Sequence, residues 1–161
     1  MKYILAISTL LLAIAAHAVR AGDRIEFEYT YETTSGASRG WSSRHVVDHW
    51  DQNYLLAEEF HLVGYSPSIY EKVYSHSEIL TDDVVQIWLS HCEYNKGIFE
   101  TVVVPAGSFR TCRTETYDEF GAPTGTLWIG DVPMGVVMNV QKYADGTTFT
   151  FEASNFQHGG I

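Results

Sequence analysis

The sequence predicts an all-β fold, an antiparallel meander bent into a curved sheet or barrel, with at most one short helix. Three observations predict it. Arg24 to Glu32 alternates without a break, setting Ile25, Phe27, Tyr29 and Tyr31 against charged and hydroxyl residues, and period two marks a half-buried strand. The remaining chain supplies further short runs rich in β-branched and aromatic residues, nine or ten strands in all, punctuated by Gly, Pro, Asn and Asp. No long stretch carries the 3.6-residue apolar repeat of an amphipathic helix.

The first 21 residues read instead as an export signal. Lys2 is a minimal basic start, and Ile4 to Ala16 is mostly apolar but too short to span a bilayer comfortably. Ala16-His17-Ala18 and Val19-Arg20-Ala21 both end on a small residue, so cleavage is expected after Ala18 or after Ala21. No cysteine follows at once to carry a lipid, and no later segment is long and apolar enough to cross a membrane. One β domain is expected over residues 22–156, with a Gly-rich, flexible tail at 157–161.

After the first strand, Ser35-Gly36-Ala37-Ser38 supplies a turn, and Ser42 to Trp50 is a second strand ended by Asp51-Gln52-Asn53. Tyr54 to Tyr65 is ambiguous. Tyr54, Leu56, Phe60 and Leu62 share a strand face that Glu58 interrupts, while "LLAEEF" is also good helix composition. A strand is expected there. Ser66-Pro67-Ser68 breaks the chain. Ile69 to Ile79 and Val84 to Cys92 are expected strands, divided by Thr81-Asp82-Asp83, and Asn95-Lys96-Gly97 is a turn.

Ile98 to Val104 and Phe109 to Tyr117 flank the corner Pro105-Ala106-Gly107. Proline fixes φ and removes a donor where a ladder ends, and glycine accepts the positive φ of a tight turn. Thr126 to Ile129 is a short strand between the polar loop Asp118 to Gly125 and the tight loop Gly130 to Gly135. Val136 to Tyr143 and Thr147 to Phe156 flank Asp145-Gly146, the strongest hairpin signal in the chain.

Composition narrows the function. The chain has 161 residues and a formal net charge of −10, and cleavage after Ala21, which removes Lys2 and Arg20, makes it −12. That charge repels nucleic acid and anionic membrane surfaces. Two cysteines in an exported chain predict one disulfide, Cys92–Cys112, closing a loop of about 20 residues and constraining the unfolded chain by roughly 3 kcal/mol.

Catalytic and metal motifs are weak. Gly36-Ala37-Ser38-Arg39-Gly40 matches GxSxG, but no helix follows to form the elbow that motif requires. His45 and His49 share a strand face yet lie about 13 Å apart along a regular strand, so they grip one metal only if the strand bulges. His61, His76, His91 and His158 are scattered. Glu58-Glu59, Asp82-Asp83 and Asp118-Glu119 are adjacent pairs, which point to opposite faces of a strand. No metal and no cofactor is expected.

The positive feature is the wealth of large apolar residues on strand faces. Ile25, Phe27, Tyr29, Tyr31, Trp88, Trp128, Val136, Met138, Phe149 and Phe151 are candidates to line a concave face. A packed core uses such residues equally well.

"ETVVVPAGSFRTCRTETY", "GTLWIGDVPMGVV" and "KYADGTTFTFEASNF" resemble a pattern in small exported bacterial proteins, which in turn are similar to the half-barrel superfamily of the periplasmic lipoprotein carriers LolA and LolB. The resemblance spans about residues 98–156. It implies an antiparallel sheet curled into an incomplete barrel whose concave face holds acyl chains in the carriers, and a periplasmic or secreted location in a bacterial envelope.

The expected function is therefore that of a non-enzymatic envelope protein binding a lipid, an acyl chain or a partner protein on its concave sheet. Phe27, Tyr29, Tyr31, Trp88, Trp128, Met138, Phe149 and Phe151 are its leading lining candidates. The alternatives are an assembly factor of the envelope and a small periplasmic hydrolase using a histidine, His45 or His91, with a carboxylate.

Overall fold

The structure, a computed structural model, describes residues 19–159. The expected export signal lies, up to residue 18, outside the described residues. Among these the elements run β1 (Arg24–Thr33), β2 (Gly36–Trp50), β3 (Asn53–Leu62), β4 (Ser68–Ser75), α1 (Asp82–Ser90), β5 (Ile98–Val104), β6 (Gly107–Tyr117), β7 (Pro123–Ile129), β8 (Val136–Lys142) and β9 (Thr148–Gln157). The strands form one sheet in the order β4-β3-β2-β1-β9-β8-β7-β6-β5. Every neighbouring pair is antiparallel.

The topology is two meanders that share a centre. One runs outward from β1 to the β4 edge, α1 and its flanking loops carry the chain to the β5 edge, and the second meander returns inward to β9. The ambiguous segment from Tyr54 is a strand, β3, as expected. The second strand is longer than expected, because Gly36 to Gly40 continues the ladder opposite Thr33 to Tyr29. Ser38 of the GxSxG match is thus an ordinary strand residue paired with Tyr31.

One element differs in kind. Val84 to Cys92, expected as a strand, lies mostly in α1. A short apolar run does not distinguish helix from strand by periodicity. Thr81-Asp82-Asp83, read as a turn, is the helix start: Thr81 holds the N-cap position, and Asp82 and Asp83 place negative charge on the first turn, where the helix dipole favours it. Val85 is buried and Ile87 exposed, so the run has one inward face and no strand ladder to satisfy its backbone.

The sheet is open but strongly curved. Glu58 and Phe60 of β3 and Asn139 and Gln141 of β8 line one hollow, although three strands separate β3 from β8. In a flat sheet four strand spacings are about 19 Å, so the sheet must curl to bring them together.

One end of this concave face is filled. Ile25, Val46, Tyr54, Leu56 and Ala153 pack there with Val132 and Met134, which the loop 130–135 folds inward. That loop is closed on itself: Gly130 N donates to Gly135 O and Gly135 N to Val132 O. Met134 and Gly135 take consecutive left-handed φ values of 57° and 68°. A Cβ on Gly135 would sit 2.4 Å from Val85 Cγ2, so glycine is required both for the turn and for the close approach of α1.

The corner 105–107 docks as well. Ala106 N donates to Ala153 O on β9, and Val104 joins the core. Cys92 and Cys112 form the expected disulfide, with Cα atoms 5.6 Å apart, fixing the chain just after α1 to β6. Both ends of the described chain are also held. Val19 is buried in the core, and the Asp23 carboxylate accepts hydrogen bonds from Arg20 N and Gly159 N. The tail expected to be flexible from residue 157 is thus tied down at Gly159, while Gly160 and Ile161 lie outside the described residues. No described helix is long and apolar enough to cross a membrane.

Candidate ligand-binding site

Beside the filled end lies an open hollow of about 330 Å³ on the same concave face. Its apolar wall is Phe27, Phe60, Val136 and Phe151. Its polar wall includes Ser42, Arg44, Glu58, Tyr70, Asn139 and Gln141.

Register explains how the walls form. Directly paired residues share a sheet face. Phe27 pairs with Ser42 and Ser42 with Phe60, while Tyr29 pairs with Phe151 and Phe151 with Asn139. Small residues on β2 make room between the aromatic rows. A Cβ on Gly40 would lie 2.3 Å from the Tyr29 hydroxyl, so the Tyr29 ring lies across β2 at that glycine. It stacks on Phe60 with centroids 4.6 Å apart and donates to His61 O at 2.7 Å. Tyr31, Phe149 and Phe151 extend the cluster, with Tyr31–Phe149 at 4.5 Å and Tyr29–Phe151 at 5.5 Å.

The polar wall centres on Glu58, which is 6% exposed. Arg44 Nε lies 2.7 Å from Glu58 Oε1, and Tyr74 donates to Oε2 at 3.0 Å. The Arg44 contact is Coulombic, since its alignment leaves Oε1 without a hydrogen bond.

The tyrosines register the same charge. Burial, followed by the hydrogen bond to Glu58, pushes the Tyr74 hydroxyl up to about 12. Hydrogen bonding to Glu58 and then burial raise Tyr70. Burial alone pushes Tyr29 up to about 12. These hydroxyls stay protonated well above neutral pH and act as donors.

Of the residues singled out in the sequence, Phe27, Tyr29, Tyr31, Phe149 and Phe151 gather on this one face. Three do not. Trp88 lies in α1 and so on no strand. Trp128 and Met138 pair with each other, and Met138 pairs with Glu152, itself opposite Glu28. That ladder is one residue out of phase with Tyr29 and Phe151, so neither side chain joins their aromatic face; Met138 packs instead against the core cluster. Trp128 Nε1 donates to Glu100.

Arg44, Glu58, Phe60, Tyr70, Asn139 and Gln141 are the site residues that sequence patterning left unassigned. The Glu58 interruption of an apolar strand face was the one signal pointing to them. β2 does shift register between Val46 and Asp48, near His45 and His49. Even so, no group of three His, Cys, Asp or Glu able to hold a metal occurs among the described residues.

No protein-family model matches the sequence, and no curated protein matches it. Solved structures are similar to it over most of its length. One is a Bacteroides fragilis protein with a YmcC-like fold, at 10% identity and a TM-score of 0.50, covering 86% of this chain and 96% of that one. Another is an outer membrane lipoprotein-sorting protein domain from Vibrio parahaemolyticus, at 9% identity and 0.38, covering 89% and 88%. MucB follows at 13% identity and 0.42, covering 90% of this chain and 56% of that one, so this chain spans little more than half of MucB. What the first of these establishes is the fold, an open, curved antiparallel sheet.

Proposed function

We propose that this is an exported, non-enzymatic binding protein of the bacterial envelope. It holds an apolar ligand, a lipid or acyl chain, in the hollow of its concave face. The observation that carries the reading is the hollow itself, walled on one side by Phe27, Phe60, Val136 and Phe151 and left open beside a filled core. Desolvating a ligand's apolar surface there yields about 25 cal/mol per Å² buried. At about 330 Å³ the space is at the small end of ligand sites, which favours one chain over several. The polar wall would take the ligand's polar end.

Delipidated protein should bind a fluorescent fatty acid or phospholipid saturably. Phe60→Ala should weaken that binding roughly tenfold by removing part of the apolar wall. Absence of saturable uptake would overturn the lipid reading.

A second reading, recruitment of a partner protein, is favoured by β4. This edge strand exposes Ile69, Tyr70 and Val73, and has β3 as its one neighbour in the sheet. Such an edge offers unpaired backbone groups to an added strand.

A further inference from the structure

Two small-residue sites compete for export processing, after Ala18 and after Ala21, and local sequence does not separate them. Packing does. From the fate of the three residues between them, we propose that the Ala18–Val19 bond is the one hydrolysed, so that Val19-Arg20-Ala21 remains a structural part of the mature protein. The proposal rests on reading the N-terminus as an export signal and is independent of the ligand.

Val19 is 1% exposed and packs in the same cluster as Ile25, Val46 and Val132. The backbone beyond it closes a small knot. Arg20 N donates to Asp23 Oδ2 at 2.7 Å, and Asp23 N donates to Arg20 O at 3.0 Å. Gly159 N donates to Asp23 Oδ1 at 2.6 Å. A Cβ on Gly159 would lie 2.4 Å from Ala21 O, so the C-terminal strand's exit is moulded against residue 21 itself. Gly22 N donates to Val46 O, and Val46 N to Asp23 O. The segment thus joins β1, β2 and the end of β9.

The two products differ sharply. A cut after Ala21 removes the Val19 side chain from the core and leaves a void there. It also strips Asp23, 2% exposed, of the Arg20 donor, leaving a buried carboxylate oxygen with that hydrogen bond unmade. It removes the carbonyl against which Gly159 packs. A cut after Ala18 loses none of these contacts. In the reaction, water adds across the Ala18–Val19 amide and the C–N bond breaks: its oxygen completes the Ala18 carboxylate, and the freed Val19 nitrogen takes both of its protons to become an ammonium. Hydrolysis acts on the chain before it folds, so the burial of Val19 in the product is no obstacle.

The test is N-terminal sequencing and intact mass of the protein recovered from the envelope or medium of a secreting bacterium expressing the full chain. Val19 is the expected first residue. A chain beginning at Gly22 would overturn the proposal while leaving the export reading intact. A full-length chain retaining Met1 would overturn the export reading and the proposal with it.

A second measurement isolates the packing argument. Chains made to begin at Val19 and at Gly22 should differ in Tm by roughly 5–15 °C, the longer being more stable. Equal Tm values would overturn it, and failure of only the Gly22 chain to fold would support it.

Discussion

The concave face carries two regions built from the same strands and the same kinds of residue, with opposite fates. At one end Ile25, Val46 and Leu56 are fully buried under Val132 and Met134. At the other, Phe60 and Phe151 border an open hollow. Alternation along β1 does not tell these ends apart: Ile25, Phe27, Tyr29 and Tyr31 are one uninterrupted row. What separates core from lining is the loop 130–135, which folds over one end and stops short of the other. An apolar strand face is thus only half of a packing statement, and the other half is whatever reaches across to cover it.

The sharpest way to break the comparison is to truncate one residue at each end. Leu56→Ala at the filled end should cost about 2–5 kcal/mol by leaving a cavity. Phe60→Ala, half-buried at the open end, should cost distinctly less stability and act mainly on ligand uptake. Denaturant unfolding of the two variants, read beside fluorescent-lipid binding, checks both. Similar stability losses would mean that the hollow collapses into core in solution.

A smaller effect is expected from loosening the cover. Gly135→Ala forces a side chain into left-handed φ and against Val85 and Leu80. About 1–3 kcal/mol should be lost. If the loop then lifts, the hollow should enlarge, and longer acyl chains should bind relatively better. A lower Tm with unchanged chain-length preference would show that the loop shifts as a unit.

The smallest effect concerns the polar wall and is read by pH. Burial is the main cause that pushes both Tyr29 and Tyr74 up to about 12 from an ordinary 10. The folded state therefore holds these protons more tightly than the unfolded chain. Their contribution is fully present below pH ~10 and is lost as pH rises toward ~12. Unfolding followed through tyrosinate absorbance should show stability falling in that window. Glu58→Gln removes the acceptor charge and should bring the Tyr74 and Tyr70 titrations down while leaving Tyr29 in place. An unmoved Tyr74 would leave burial as the whole cause of its shift.

Much of the fold was legible in the sequence because its signals are local. The Asp145-Gly146 hairpin, the 105–107 corner and the alternation of β1 each follow from backbone preferences of a few residues. The Cys92–Cys112 pairing followed from counting. α1 was not legible as a helix, because Val84 to Cys92 is apolar enough for either state and only its Thr-Asp-Asp start favoured one. The site was half legible. Phe27, Tyr29 and Phe151 stood out by periodicity, whereas Arg44 and Asn139 look like ordinary polar strand residues until register brings them to the concave side.

Trp128 and Met138 show the limit most plainly. Each sits on an alternating strand, and alternation gives two faces without saying which one is inner. That choice is made by pairing across four strands, from β7 to β1, where a one-residue shift in phase reverses every side chain. The sequence by itself determined the class, the strands and their turns, since these rest on interactions between near neighbours. The tertiary structure alone decided which face is concave, which end of it is filled, and that Glu58 meets Arg44 and two tyrosines. Those depend on register and curvature summed over the whole sheet, which no local stretch encodes.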